Sequence, residues 1–193
     1  MILTGSNEFK IIKDSIPLGV NLLAVSKGHK HDSIRKLSGY GQLDFGESRL
    51  QEAILKKIDL SDLTQLRWHF VGTLQKNKVR RVIKEFDFIH SVDSLPLLER
   101  ISRISLEEQK TPNIFLQIKF RDDPNKGGFL KQDLLKSWTK IISKISQACD
   151  LVFTLSITTA GCRILARPPA EIFWPSCSRR SRRSRQALAK WMA

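Results

Sequence analysis

Six short apolar segments that alternate with helical patterns most limit how this 193-residue chain can fold. The segments cover residues 20–26, 42–46, 66–72, 86–92, 113–120 and 150–157. The first is followed by Lys27 and Gly28, and a short apolar run bounded by turn signals is typical of a buried strand. Strands that alternate with helices form right-handed βαβ units and a parallel sheet. The pattern therefore predicts an α/β fold with about six βα units, either a doubly wound open sheet or most of an eight-stranded barrel.

The segments between the predicted strands have the spacing of amphipathic helices. Leu50, Ile54 and Ile58 recur every fourth residue within a helix predicted over residues 47–58. The most continuous apolar stripe lies in a helix predicted over residues 130–148. Apolar residues at such intervals form one face of a helix, which packs against a sheet.

Lys27 follows the first predicted strand directly and precedes Gly28. α/β folds bind their ligands at the carboxyl ends of the strands. A lysine at such a position is a candidate imine-forming amine, and burial beside apolar walls favours the neutral amine that this chemistry needs. A lysine that simply begins a loop would have the same sequence, so the position alone leaves both interpretations open.

The net charge of +14 is concentrated near the C-terminus. Residues 161–193 contain 8 lysines and arginines against 1 acidic residue, whereas residues 1–160 contain 25 against 18. The later segment is rich in arginine, serine and proline and has no helical or strand pattern, which is typical of disorder. We therefore predict a partial α/β barrel domain over residues 1–160 and an irregular, disordered basic tail over residues 161–193.

Cysteine usage and hydropathy indicate the compartment. The three cysteines are an odd number without Cys-x-x-Cys spacing, so we expect reduced thiols in a cytoplasmic protein and no metal site. No apolar run approaches the roughly 20 residues of a membrane helix, and no signal-peptide pattern is apparent. A membrane partner is therefore not expected.

Four stretches resemble one protein family. They are Leu-Ala-Val-Ser-Lys at 23–27, Asp-Phe-Gly-Glu-Ser at 44–48, Trp-His-Phe-Val-Gly-Thr-Leu-Gln-Lys-Asn-Lys at 68–78 and Ile-His-Ser-Val-Asp at 89–93. Over roughly residues 18–155 the chain resembles the pyridoxal-phosphate homeostasis proteins, also called the proline-synthase co-transcribed family. This resemblance implies an alanine-racemase-like (β/α)8 TIM barrel, incomplete here.

The resemblance also implies a cofactor and its binding residues. Pyridoxal 5′-phosphate (PLP) would be held as a Schiff base on Lys27. Ser48 stands where the family usually has asparagine in Phe-Gly-Glu-Asn, and keeps a hydrogen-bonding group of shorter reach. His69 is the third cofactor-binding candidate, although a packed, hydrogen-bonded strand histidine fits the sequence equally well.

The function implied is intracellular PLP homeostasis without catalysis, with PLP-dependent apoenzymes as candidate recipients of the cofactor. An alanine-racemase-like amino-acid racemase is an alternative. It would need a second catalytic group, typically a tyrosine from another domain, and the only tyrosine is Tyr40. A third interpretation treats the arginine-rich tail as an RNA-binding segment. A non-specific basic tail explains the same residues, so nucleic acid is not expected as a partner.

The sequence departs from the family pattern near residues 155–162. Family members continue through further βα units with a Ser-Met-Gly-Met-Ser loop and an Arg-x-Gly strand that bind the cofactor phosphate, and neither motif occurs here. We therefore hypothesise a C-terminally truncated or frame-shifted family member. Reading the gene in the other two frames downstream of codon 155 tests this, because one frame should then encode such a loop.

Overall fold

The computed structural model describes residues 6–119, 127–148, 150–151 and 164–166. Within these residues the helices are α1 (Ser6–Asp14), α2 (His31–Gly39), α3 (Leu50–Asp59), α4 (Val79–Glu85), α5 (Leu95–Glu107) and α6 (Lys131–Ala148). A short 3-10 helix, Lys76–Lys78, precedes α4. The strands are β1 (Val20–Leu22), β2 (Ala24–Val25), β3 (Asp44–Glu47), β4 (Arg67–Phe70), β5 (Phe88–Val92), β6 (Asn113–Leu116), β7 (Ile118–Lys119), β8 (Phe129–Leu130), β9 (Asp150–Leu151) and β10 (Ile164–Ala166).

The main sheet has six parallel strands in the order β2-β3-β4-β5-β6-β9. Each strand therefore lies beside the next main-sheet strand along the chain. A doubly wound sheet reverses its order at a switch point, whereas a barrel keeps adding strands on the same side. The order confirms the barrel-type α/β fold, with the six parallel strands that the sequence predicted.

Side chains alternate between the two faces of this sheet, as the strand geometry requires. One face packs against the helices in a continuous hydrophobic core, to which the strands contribute Phe45, Trp68, Phe70, Ile89, Ile114 and Leu116. The opposite face, called the inner face below, includes Gly46, His69, Phe88, His90 and Phe115. Its rings stack in pairs, with centroids 4.1 Å apart for His69 and Phe88 and 4.0 Å apart for His90 and Phe115.

Helix α3 differs from its predicted packing. Leu50 is buried and Ile54 is partly buried, but Ile58 is 64% exposed, so the prediction of a shared buried face is wrong for Ile58. Residues four apart in a helix are about 40° out of line, since each residue turns by about 100°. Two such steps carry Ile58 away from the core, and Lys56 is buried instead.

The first predicted strand forms two strands with different partners. β2 begins the parallel sheet, whereas β1 pairs antiparallel with β10, with Val20 opposite Ala166. The expectation that the tail has no regular element is thus wrong for residues 164–166, whose short apolar run supplies a partner for β1. The other residues of the predicted tail, and residues 152–157 of the sixth predicted strand, lie outside the described ranges, so the two-part division stays a prediction.

Helix α4 has seven residues, too few for a helix to be stable by itself. Lysines from neighbouring units donate hydrogen bonds to its last carbonyls, where cations are favourable. Lys57 Nζ lies 2.6 Å from Glu85 O, and Lys110 Nζ lies 2.9 Å from Lys84 O. The carboxyl end of α4 is therefore bound to both adjacent units.

No helix in the described part of the chain is long and apolar enough to cross a membrane.

Candidate functional site

The parallel strands end at one edge of the sheet, called the carboxyl edge below. Lys27 lies two residues after β2, and Ser48 directly follows β3. Gly72 lies two residues after β4, and Asp93 directly follows β5. Because parallel strands share one direction, the fold brings these loops together at the edge where α/β proteins bind ligands.

Glycines allow the loops of the carboxyl edge to approach closely. A Cβ atom at Gly72 would lie 2.3 Å from the backbone oxygen of Ser48, and one at Gly127 would lie 2.6 Å from Asp93 Oδ2. The loops after β3 and β4 therefore touch, and Gly127, just before β8, lies against Asp93 in the loop after β5. At Gly72 the obstacle is backbone, so any larger residue would force the loops after β3 and β4 apart, whereas at Gly127 the Asp93 carboxylate could move aside.

Lys27 occupies a tight turn at this edge. The Ser26 amide donates to Gly46 O at 2.9 Å, which extends the β2–β3 pairing by one residue, and the His29 amide donates to Ser26 O at 3.0 Å. Gly28 has a φ of 77°, as the third residue of a type II turn requires. Lys27 is the second residue of this turn.

The residues that lead into the Lys27 turn line the inner face. A Cβ atom at Gly46 would lie 3.5 Å from side-chain atoms of both Leu23 and Val25, so these two residues lie on that face. Lys27 lies two residues beyond Val25, in the turn that follows this strand. Its side chain is exposed and makes no hydrogen bond or ion pair with any residue that the structure describes. The apolar burial expected around this amine is therefore absent from the described residues, because the turn projects past the last strand pairing.

A buried group that sequence reasoning missed lies beneath this turn. Lys56 Nζ donates to Ser26 O at 2.9 Å, to Glu47 Oε1 at 2.7 Å and to Glu52 Oε1 at 2.7 Å. Ser26 Oγ also donates to Glu47 Oε1, at 2.6 Å, and the Gly28 amide donates to Glu52 Oε1 at 2.9 Å. We call Lys56, Glu47, Glu52 and Ser26 the Lys56 cluster.

The electrostatics of the Lys56 cluster follow from these contacts. The hydrogen bond from Lys56, followed by that from the Gly28 amide, lowers the pKa of Glu52. Glu47 is completely buried, and its Oε2 has no hydrogen-bond partner among the residues that the structure describes. In the sequence, Glu52 and Lys56 match the spacing of an ordinary surface pair on a helix, so nothing indicated a buried cluster.

His69 lies lower on the inner face and is only 4% exposed. Its Nε2 lies 3.0 Å from Asp44 Oδ1 and its Nδ1 lies 2.9 Å from His90 Nε2, so both ring nitrogens have partners. Burial raises the pKa of Asp44, but hydrogen bonds from His69 and Arg67 outweigh burial and leave that pKa below its ordinary value. A cofactor contact by His69 stays a prediction.

Ser48 is half-buried, and its hydroxyl makes no hydrogen bond within the described part of the chain. The structure therefore brings Lys27 and Ser48 to the same edge, while His69 lies within the strand wall. Among the described residues, no group of His, Cys, Asp and Glu side chains is arranged to hold a metal ion.

A family model named "Alanine racemase, N-terminal domain" matches residues 6–161. The chain belongs to the alanine racemase N-terminal domain family. It is 42% identical over 120 residues to a pyridoxal phosphate homeostasis protein of Synechocystis sp., covering 62% of this chain and 55% of that protein. It is 39% identical over 118 residues to the pyridoxal phosphate homeostasis protein of Pseudomonas aeruginosa, covering 61% and 51%.

A solved structure has a similar fold. PipY of Synechococcus elongatus PCC7942, solved with PLP bound, matches with a TM-score of 0.71 and 37% identity, covering 81% of this chain and 71% of that one. The resemblance inferred from the four sequence stretches is therefore confirmed. The chain spans about half the length of the curated relatives it matches.

Proposed function

We propose that this chain binds PLP, attached to Lys27 as a Schiff base, and takes part in PLP homeostasis without catalysing a reaction. One observation carries the proposal: the Lys27 amine, exposed and without a described partner, lies at the carboxyl end of the first parallel strand. The likeness to PipY, which was solved with PLP bound, supports PLP as the cofactor.

The residues at the carboxyl edge fit the aldehyde half of PLP. When bound, the cofactor supplies an aldehyde that condenses with a primary amine and a phosphate that accepts hydrogen bonds. Lys27 offers the amine, and its turn is fixed by the Ser26 and Gly28 contacts. The hydroxyl of Ser48, which has no described partner, offers a hydrogen-bond donor at the same edge.

The phosphate half has fewer matching residues in this sequence. The Ser-Met-Gly-Met-Ser loop and Arg-x-Gly strand of the resembled family have no counterpart here. Each missing hydrogen bond to a charged group is worth about 1.5–3 kcal/mol. The proposal for this sequence therefore rests on Lys27, which offers the amine of the Schiff base.

His69 enters the proposal as part of the strand wall. Its ring is stacked on Phe88 and hydrogen-bonded to Asp44 and His90, so it keeps the inner face below Lys27 rigid. Contact between His69 and the cofactor would require one of these hydrogen bonds to be exchanged.

The position of Tyr40 supports a role without catalysis. This residue follows α2, which returns the chain from the carboxyl edge to the opposite edge, and its ring centroid lies 6.2 Å from that of Phe9. It is therefore remote from Lys27 within the chain and does not supply the second group that a racemase needs. The relatives' printed names, which refer to homeostasis, agree with this. Transfer of PLP to apoenzymes and a cytoplasmic location remain parts of the proposal.

Reductive trapping tests the proposal. The purified protein is mixed with PLP, reduced with borohydride, digested and mapped by mass spectrometry. We expect a phosphopyridoxyl adduct on Lys27 that disappears in Lys27→Ala. Lys30→Ala is the matched control, because Lys30 is an exposed lysine three residues further along the same loop.

The outcomes separate the interpretations. An adduct spread over the surface lysines, or none in a protein shown to be folded by circular dichroism, would contradict PLP binding at Lys27. Racemisation of alanine by the PLP-treated protein, lost in Lys27→Ala, would contradict the non-catalytic part and favour the racemase alternative.

A further inference from the structure

The Lys56 cluster constrains both neighbours of Lys27. Ser26 precedes Lys27, and its amide, carbonyl and hydroxyl all form hydrogen bonds, to Gly46, Lys56 and Glu47 respectively. Gly28 follows Lys27, and its amide donates to Glu52. The backbone on each side of the proposed PLP-binding residue is therefore bound to the same buried group.

Lys56 reaches this position because of helix geometry. Side chains in a helix point towards its N-terminus, and the N-terminus of α3 lies at the carboxyl edge. From the seventh position of α3, Lys56 extends along the helix to contact Glu52 one turn earlier and Ser26 beyond it. Helix α3, strand β3 and the Lys27 turn are thus joined at one ammonium group.

We propose that Lys56 and Glu52 are positioning residues for Lys27, holding the Ser26–His29 turn so that the Lys27 amine is presented to PLP. This inference rests on the proposed function. The two lysines have different chemistry because their hydrogen bonds differ. All three N–H donors of the Lys56 ammonium are used, whereas Lys27 has no described partner. The cluster therefore directs an aldehyde to Lys27 and away from Lys56.

The energetics favour positioning over simple stabilisation. Burying charges is costly, and replacing a buried ion pair by uncharged residues of similar size is often neutral or stabilising. Within the described part of the chain, Glu47 in addition keeps one buried oxygen without a partner. A cluster of this kind is a poor means of stabilising a fold, but its hydrogen bonds to Ser26 and Gly28 fix the backbone on both sides of Lys27.

Glu52 offers the sharpest test, because it is only partly buried and its replacement leaves the Lys56–Glu47 pair intact. In Glu52→Ala, the Gly28 amide loses its acceptor. We expect the rate of borohydride-trapped adduct formation on Lys27 to fall about tenfold, the equivalent of one charge-assisted hydrogen bond. Glu52→Gln should restore most of this rate, since an amide oxygen can still accept from Gly28 and Lys56.

Lys57→Met is the matched control. Lys57 is adjacent on α3 but pairs with Glu85 at the opposite edge of the sheet. Its replacement should leave the Lys27 rate unchanged. If the cluster had only a structural role, the loss of adduct-formation rate would instead follow the loss of thermal stability in Glu52→Ala, Glu52→Gln and Lys57→Met. Glutamine at position 52 would then not restore the rate. That result, or a wild-type rate in Glu52→Ala, would overturn the inference.

Hydrogen exchange separates this inference from the proposed function. Without PLP, mass spectrometry of a peptide covering residues 26–29 should show faster amide exchange in Glu52→Ala than in the wild type and in Lys57→Met. If the wild-type protein forms no adduct, the proposed function fails and the exchange result alone decides whether the cluster holds the turn. Unchanged exchange would refute the positioning role.

Discussion

Replacement of Gly72 by alanine should destabilise the protein through a single close contact. The new Cβ atom would lie 2.3 Å from Ser48 O and 3.0 Å from Ser48 Cα. A carbon and an oxygen that are not bonded normally stay about 3.3 Å apart. The obstacle is backbone, and the adjacent hydrogen bond from the Val71 amide to Glu47 O, at 2.8 Å, holds the two loops in register. The loops must separate by about 1 Å, and overpacking of this kind typically costs about 1–3 kcal/mol.

Urea unfolding followed by tryptophan fluorescence measures this cost, and thermal melting should show a shift of about 2–4 °C per kcal/mol for a chain of this size. Gly39→Ala is the matched control. Gly39 ends α2 with no atom within 4 Å of its added Cβ, so alanine there should stabilise by about 0.4–1 kcal/mol. If Gly72→Ala were as stable as the wild type, the close packing of the β3 and β4 loops would be refuted.

Three further predictions follow from burial and charge. Lys56→Met should cost about 3–5 kcal/mol because it leaves the Glu47 carboxylate buried without its cation, and adding Glu47→Gln should recover much of that loss in urea unfolding. Since the pKa of Asp44 lies below its unfolded value, its stabilisation is fully present above about pH 4 and is lost as the pH falls through the folded pKa. In Asp44→Asn the free energy of unfolding should no longer fall in this acidic range. If its pH dependence were the same as in the wild type, the stabilising role of the Asp44 carboxylate would be refuted. Leu50→Ala should cost about 2–5 kcal/mol, whereas Ile58→Ser should stay within about 0.5 kcal/mol, and equal losses would contradict the observed helix orientation.

The fold was predictable because its signal is periodic and repeated. Six apolar segments separated by helical patterns indicated a parallel α/β fold, but periodicity does not encode the order of strands in a sheet. The choice between barrel and open sheet therefore came from the family resemblance. The exposure of Ile58 shows the limit within one element, since a spacing of four residues drifts around a helix and only three-dimensional packing fixes which residue faces the core.

The candidate site was predictable in part. Lys27 and Ser48 follow strands, and the geometry of parallel strands places both at one edge. The Lys56 cluster was not predictable, because burial of a charged side chain depends on acceptors from three separate segments that sequence spacing does not bring together. The exposure of Lys27 was not predicted for a related reason. The turn after β2 depends on the contacts of the Lys56 cluster, which the sequence does not reveal.

The lysine contacts at the end of α4 have a consequence for local unfolding. A seven-residue helix would ordinarily open by itself, but α4 cannot leave the sheet without breaking the bonds from Lys57 and Lys110, which belong to the units before and after it. The three βα units should therefore unfold locally together, as one cooperative unit. Amide exchange in α4 should then be as slow as in α3 and α5, although α4 is the shortest of the three.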